Sequence, residues 1–410
     1  MKHLVIFCLL LLSPSLFAQP YVVGGKTRHR FAQLNLGTDY RFFPGSGTQS
    51  AIIGQDGQLE KFELKNQAET RLIISGTHFW GHMDFYVAIP ILSVGKSGFS
   101  TGVETGAHYF PWRIEHNKIR PYVGVSMLTT QFQQGAGTKR VRFAYPLLAG
   151  AVFNHKKHLI TMGAGYNPQN SENYFINRTT PVQIKTHAFW FSFGYSFMLE
   201  TTLSAEKNWQ NGKTKRLTDT LAALNRLNGW TLAVGPSSAF FLKPSDHNES
   251  MAPYSDNHKA AVFPEFGIGY YWHNPDLQIN LSYRKMKSEI AAYSFSQRGS
   301  RQALSLEAFK FFVDYHGFAA FAGFAVSYER LHISETDGQQ PGETANYAGI
   351  KPGITFGWDI RPNRLQSWYL RTTLRYFPNL NVKMADGKTI PFDQLEFNFI
   401  QLVVFPGRMF

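Results

Sequence analysis

Apolar and polar residues alternate strictly along much of this chain. In "AFWFSFGYSFML", Phe189, Phe191, Phe193, Tyr195, Phe197 and Leu199 fall on one side, while Ser192, Gly194 and Ser196 fall on the other with Trp190 and Met198. "FAQLNLGTDYRF" sets Leu34, Leu36, Thr38, Tyr40 and Phe42 against Gln33, Asn35, Gly37, Asp39 and Arg41. "EFGIGYYWH" and "LQINLSY" repeat the pattern, with Phe266, Ile268, Tyr270 and Trp272, then Leu277, Ile279, Leu281 and Tyr283, on the apolar side. A period of two is the signature of β-strands that present two different environments.

The connections between these runs fall into two kinds. Long polar stretches (about 44–68, 167–181, 244–258, 334–344 and 378–392) interleave with tight ones such as "GHMD", "NHKKH", "HNPD", "YHGF" and "RPNR". Short turns on one side and long loops on the other fit a transmembrane barrel, which pairs every backbone group and leaves no sheet edge in lipid. The Phe189–Leu199 stripe then faces hydrocarbon. Tyr109, Trp112, Trp272, Trp368 and Tyr376 stand near strand ends, where an interfacial girdle lies.

The chain also repeats itself. "HFWGHMDFYVAIPI" aligns with "YYWHNPDLQINLSY", placing Trp80 on Trp272 and Asp84 on Asp276. In the same order, Glu104 falls on Glu307, Gly124 on Gly323, Pro146 on Pro352 and Pro168 on Pro378, and "FWFSF" faces "EFNFI". A duplicated unit separated by loop insertions follows. The predicted organisation is a signal peptide over residues 1–18, one eight-stranded unit over 19–199, a periplasmic linker over 200–228 and a second unit over 229–410. Leu217, Leu221, Leu224 and Leu227 give the linker a short amphipathic helix.

Each half resembles the eight-stranded barrels of the outer membrane protein A/X/W superfamily, in the style common among Bacteroidota envelope proteins. The tail "LEFNFIQLVVFPGRMF" is similar to the alternating last strand of such barrels, although Pro406 and Gly407 interrupt it before Phe410. The resemblance implies an antiparallel all-β transmembrane fold in the outer membrane. Its expected partners are outer-membrane lipids and lipopolysaccharide, and the barrel-assembly machinery during insertion.

Two architectures fit sixteen strands: tandem narrow barrels or one wide ring with a channel. Tandem barrels are favoured by the 29-residue linker. Small residues on the presumed lumen face and inward charges of both signs point the same way. Those charges form the candidate site, a lumen network of Glu104, Glu265, Glu307, Glu329, Arg371, Arg375 and Glu396. Charges of opposite sign close a small lumen when they pair.

Composition adds less. The 410 residues carry a net charge of +13 and a mean hydropathy of −0.24. The first residues, "MKHLVIFCLLLLSPSLFAQP", read as an export signal. The one cysteine, Cys8, lies inside it, so the mature chain has neither disulfide nor thiol chemistry. No catalytic, cofactor or metal site is expected, and no nucleic-acid partner. The loop "PSDHNES", with Ser245, Asp246, His247, Glu249 and Ser250, and the pair His78 and His82 are weak candidates for chemistry. Basic runs such as "RIEHNKIR" and "YRKMK" read as solvated turns. The expected role is a non-enzymatic structural or interaction barrel, with a porin or a lipid A-modifying enzyme as alternatives.

Overall fold

The computed structural model describes residues 33–199 and 213–410, apart from 55, 96–98, 135–138, 256–257, 259, 316–317, 362–364, 366, 379, 393 and 410, and two short strands within 21–28. The predicted signal peptide and residues 200–212 of the predicted linker lie outside the described residues. No helix among those described is long and apolar enough to cross a membrane. Crossing falls to strands.

The first ring consists of β1 (Gln33–Phe43), β2 (Gln67–His78), β3 (Met83–Val94), β4 (Phe99–Tyr109), β5 (Lys118–Gln133), β6 (Leu147–His155), β7 (His158–Tyr166) and β8 (Phe189–Leu199). Lys139–Ala144 pairs with β5 ahead of β6 and continues its line past Pro146. All pairs are antiparallel, and β8 closes on β1 in the register Phe191↔Phe42 to Leu199↔Leu34. The second ring runs through β9 (Gly229–Phe241), β10 (Ala260–Trp272), β11 (Leu277–Ala292), β12 (Phe295–Tyr315), β13 (Phe318–Asp337), β14 (Gln340–Ile360), β15 (Trp368–Phe377) and β16 (Gln394–Val404). Here β16 pairs back onto β9. The sixteen strands therefore form two closed eight-stranded barrels, and the single wide ring is excluded.

The alternation sorts residues as the sequence predicts. Phe191 is 59% exposed on the outer wall, whereas Trp190 is 1% exposed inside. Phe189, Phe193, Tyr195 and Phe197 share the outer face, and Phe266, Ile268, Leu281 and Tyr283 do so on the second barrel. An apolar wall with a polar interior inverts the arrangement of a soluble barrel and belongs to the transmembrane kind. Tyr109, Trp112, Trp230 and Trp368 are exposed at the end of the barrels that carries the tight turns.

The aligned positions of the two halves fall on strands of the same rank. Glu104 and Glu307 stand on the fourth strand of their rings, Gly124 and Gly323 on the fifth. Pro168 and Pro378 each follow the seventh.

Three expectations change. The stretch 334–344 is not a loop: β13 and β14 stay paired to Asp337↔Gln340, turning at Gly338 with φ of +63°. Strands of about ten residues suffice to cross a bilayer, so β12 and β14, with 21 residues each, continue beyond it. The other long loops fold on themselves. Hairpins over 47–64, 171–185 and 381–391 cover the barrel mouths, and the first two bury Ile52, Phe62, Leu64, Tyr174 and Ile184 with Phe99 and Phe132. Finally, the linker helix α1 (Lys213–Ala223) forms, but Leu217 and Leu224 are exposed and only Leu227 is buried.

The barrels touch at both levels. In the wall, Phe85 meets Trp358 and Phe79 meets Phe318, with Phe143 against Phe240 further out. At the mouths, Arg178 on the 171–185 hairpin donates to the carbonyl of Tyr293 (3.0 Å from Nε) and to Asp337 (2.8 Å), and lies over the Tyr254 ring. Gln134 donates to the Tyr254 carbonyl at 2.8 Å.

Candidate functional site

An eight-stranded barrel is just wide enough for its own side chains, so what fills the lumen decides what the protein can do. In the second barrel, five of the predicted residues lie in one alternating chain of charge. Arg375 binds Glu265 through both terminal nitrogens (2.7 and 3.0 Å) and Glu307 through Nε (2.7 Å). Arg284 links Glu307 (3.5 Å) to Glu396 (3.0 Å). Arg301 joins Glu396 to Glu329, clasping the latter at 2.6 and 2.7 Å. All seven side chains are buried. Hydroxyls and amides complete the set: Ser237 donates to Glu265, Ser282 to Glu307, and Asn398 and Gln401 to Glu265.

Arg371 stands apart from this chain, nearer the tight-turn end. It pairs with Asp359 (2.7 and 3.0 Å), donates to Gln278 and Tyr369, and stacks over Phe309 and Phe321. Below it, Tyr271, Phe309, Phe311, Phe321, Tyr369 and Phe405 form an aromatic plug. Phe405, the first residue after β16, thus turns inward and not to lipid. Above, Phe377 lies under Arg284 and Arg301, and Leu331, Ile333, Leu380, Val382, Met384, Ile390 and Phe392 close the mouth.

Glu104 belongs to the other barrel. It accepts from Arg41 (2.6 Å), Arg71 and the Tyr86 hydroxyl (2.6 Å), while Arg71 also clasps Asp39 (2.5 and 2.8 Å). Glu69 flanks both arginines at 3.8 Å, and Arg41 stacks on Trp190. Glycine makes room here: a Cβ on Gly165 would lie 2.2 Å from the Trp190 ring. A cavity of about 80 Å³ remains beneath the network, lined by Asp39, Asp84, His108 and Tyr122, with Phe110 and Ile114 buried at its base. A cavity of that size has room for a few waters.

Sequence reading missed Arg284, Arg301 and Asp359 in the second barrel and Asp39, Arg41, Glu69 and Arg71 in the first. Arg284 sits in "YRKMK", read as a solvated turn; its side chain is buried within a strand, whereas Lys285 and Lys287 alternate outward. In "RIEHNKIR", Arg113, Lys118 and Arg120 all gather on Glu115, which offsets one of their three charges.

The weak chemical candidates do not assemble as their spacing suggested. His78 and His82 each face a backbone carbonyl, of Gly76 and Phe110. In "PSDHNES", Ser245 caps α2 (Asp246–Met251) by accepting from the Asn248 amide, while both ring nitrogens of His247 face carboxylates.

Beside that loop His258 is buried, its Nε2 on Gln297 at 2.9 Å, and burial pushes it down to about 4 from 6.5. Gln297 in turn bonds Asn248 of α2. A histidine kept neutral when folded stabilises fully above pH 6.5 and loses that contribution as pH falls toward 4, because the unfolded chain takes up the proton first. Hydrogen exchange of the α2 amides, corrected for intrinsic rates, should therefore speed up between pH 6.5 and 4.5. His258→Gln should remove that part of the dependence, and an unchanged profile would contradict it.

No family model and no curated protein matches the chain. Among solved structures it is similar to the outer membrane protein OprG from Pseudomonas aeruginosa, at 9% identity over 43% of this chain and 96% of that one, with a TM-score of 0.31. Neisserial surface protein A is matched at 15% identity over 44% of this chain and 97% of that one (TM-score 0.28). An outer membrane channel from Pseudomonas putida F1 is matched at 8% identity over 92% and 95% (TM-score 0.22). Likeness this distant assigns no activity; the barrel fold rests on the strand pairing above.

Proposed function

We propose that this chain is an integral outer-membrane protein of a Gram-negative envelope, exported by its N-terminal segment and built from two barrels that arose by duplication. Its role is structural or interactive and not enzymatic: the barrels anchor in lipid, with lipopolysaccharide around their outer ends, and hold the hairpin-covered mouths together as one outward surface. The observation that carries this reading is the continuous filling of the second lumen, where an aromatic plug, a salt-bridged chain and an apolar cap succeed one another. Such an interior offers stability and no path.

Expression of the full chain followed by membrane fractionation tests it. The protein should sediment with the outer membrane and shift its gel mobility on boiling, as folded barrels do. Lipid A incubated with it should keep its mass. Recovery as a soluble periplasmic species, or transfer or loss of an acyl chain, would contradict the reading.

A further inference from the structure

Buried carboxylates in the lumens meet arginines; at the mouth of the second barrel a buried histidine takes that place, among carboxylates that are buried (Glu335), half-buried (Glu343) and exposed (Asp386). Four elements converge there. His247 of α2 is 1% exposed; its Nε2 lies 3.0 Å from Glu335 Oε1 on β13 and its Nδ1 2.9 Å from Asp386 Oδ2 on the 381–391 hairpin. Glu343 on β14 brings a third carboxylate, with ligand atoms of His247, Glu335 and Glu343 all within 4.8 Å of one another. Among the described residues, no lysine or arginine forms a salt bridge to Glu335, Glu343 or Asp386; Glu335 Oε1 accepts from Gln297 Nε2 at 2.6 Å, Glu343 from the Ala385 N–H, and Lys388 meets Asp386 through its backbone N–H and, at longer range, its charge.

Within the four side chains themselves the charges do not balance. A neutral imidazole carries one N–H, so with both nitrogens facing carboxylates one lone pair opposes an oxygen at about 3 Å. A second proton would relieve that contact, yet three carboxylates around one imidazolium still leave two negative charges. The His247–Asp386 contact is independently informative. A carboxylate on one ring nitrogen fixes the tautomer and turns the other nitrogen outward as a ligand, the arrangement found behind metal-bound histidines. Bonds of about 2.0–2.1 Å to a tetrahedral cation place neighbouring ligand atoms roughly 3.3 Å apart, close to the His247–Glu335 separation.

We propose that His247, Glu335 and Glu343 bind a divalent cation of the zinc class, with Asp386 orienting the imidazole. One nitrogen and two oxygen donors suit zinc, whereas calcium prefers six or more oxygens. The cation would tie α2, the ends of β13 and β14, and the 381–391 hairpin into a clasp over the mouth. Sequence spacing conceals the set, because Glu335 and Asp386 lie 88 and 139 residues from His247.

The test titrates zinc chloride into the refolded full mature chain in detergent micelles and counts bound equivalents by equilibrium dialysis. One saturable equivalent is expected, together with zinc-dependent hydrogen-exchange protection of α2 and of the 381–391 hairpin. Glu343→Gln and His247→Gln should each abolish that equivalent, and Asp386→Asn should weaken it about 10- to 100-fold. His158→Gln, an exposed histidine at the far end of the first barrel, should change nothing. Glu343→Gln leaves both His247 contacts in place, so it decides the matter even if His247→Gln fails to fold. No saturable equivalent in the natural chain, or full binding retained in Glu343→Gln, would overturn the proposal. Either result leaves the envelope role untouched, since that rests on the lumens.

Discussion

Arg375→Met should lower the unfolding free energy of the second barrel by about 3–5 kcal/mol, the loss typical when one partner of a buried ion pair is removed. The expectation follows from what remains. Glu265 loses both guanidinium contacts and keeps only neutral donors, while Glu307 keeps Arg284 at 3.5 Å and the Ser282 hydroxyl. Both carboxylates are buried, so their charge has no water to turn to. Adding Glu265→Gln should recover part of the loss, because replacing both partners leaves less charge stranded. Urea unfolding in phospholipid vesicles, followed by tryptophan fluorescence, measures both variants. A loss below about 1 kcal/mol for Arg375→Met would mean that water fills the lumen and screens the network.

The second large effect is expected on the opposite face of the wall. Phe193 lies at the middle of β8 and faces outward. Phe193→Arg should cost about 2–4 kcal/mol, the range for a cation on the lipid face near the bilayer midplane. Ser196→Ala, on the lumen face of the same strand beside the cavity, should cost about 1 kcal/mol at most. If the arginine were tolerated as easily as the alanine, hydrocarbon would not be bathing this stripe.

The contrast between those two positions shows what the sequence discloses. Alternation separated Phe191 from Trp190 and Ser192 because a strand has two faces and the solvents on them differ. The same logic named Glu265, Glu307, Glu329, Glu396 and Arg375 as inward charges. It did not name their connections. Glu265 and Arg375 are 110 residues apart, on the second and seventh strands of their ring, and meet only because the barrel closes. No local period encodes that meeting. Arg284 and Arg301 were hidden differently. They lie where polar residues outnumber apolar ones, and a run such as "YRKMK" resembles a solvated rim unless the strand is known to continue through it. The hairpins at the mouths escaped for the same reason: their few apolar residues, such as Ile52, Phe62 and Tyr174, become a core only when distant loops fold together.

The single-ring alternative failed on a feature that was legible. The long segment between β8 and β9 is far more than a tight turn requires, and each ring closes before or after it. Narrowness then follows from strand number, and the filled lumen from narrowness.

Planar-bilayer conductance of the purified full chain tests that conclusion most directly. The account predicts a silent membrane at moderate voltage, without stable open levels, and the same silence for either barrel's share of the protein. Reproducible stepwise openings of porin size would contradict it.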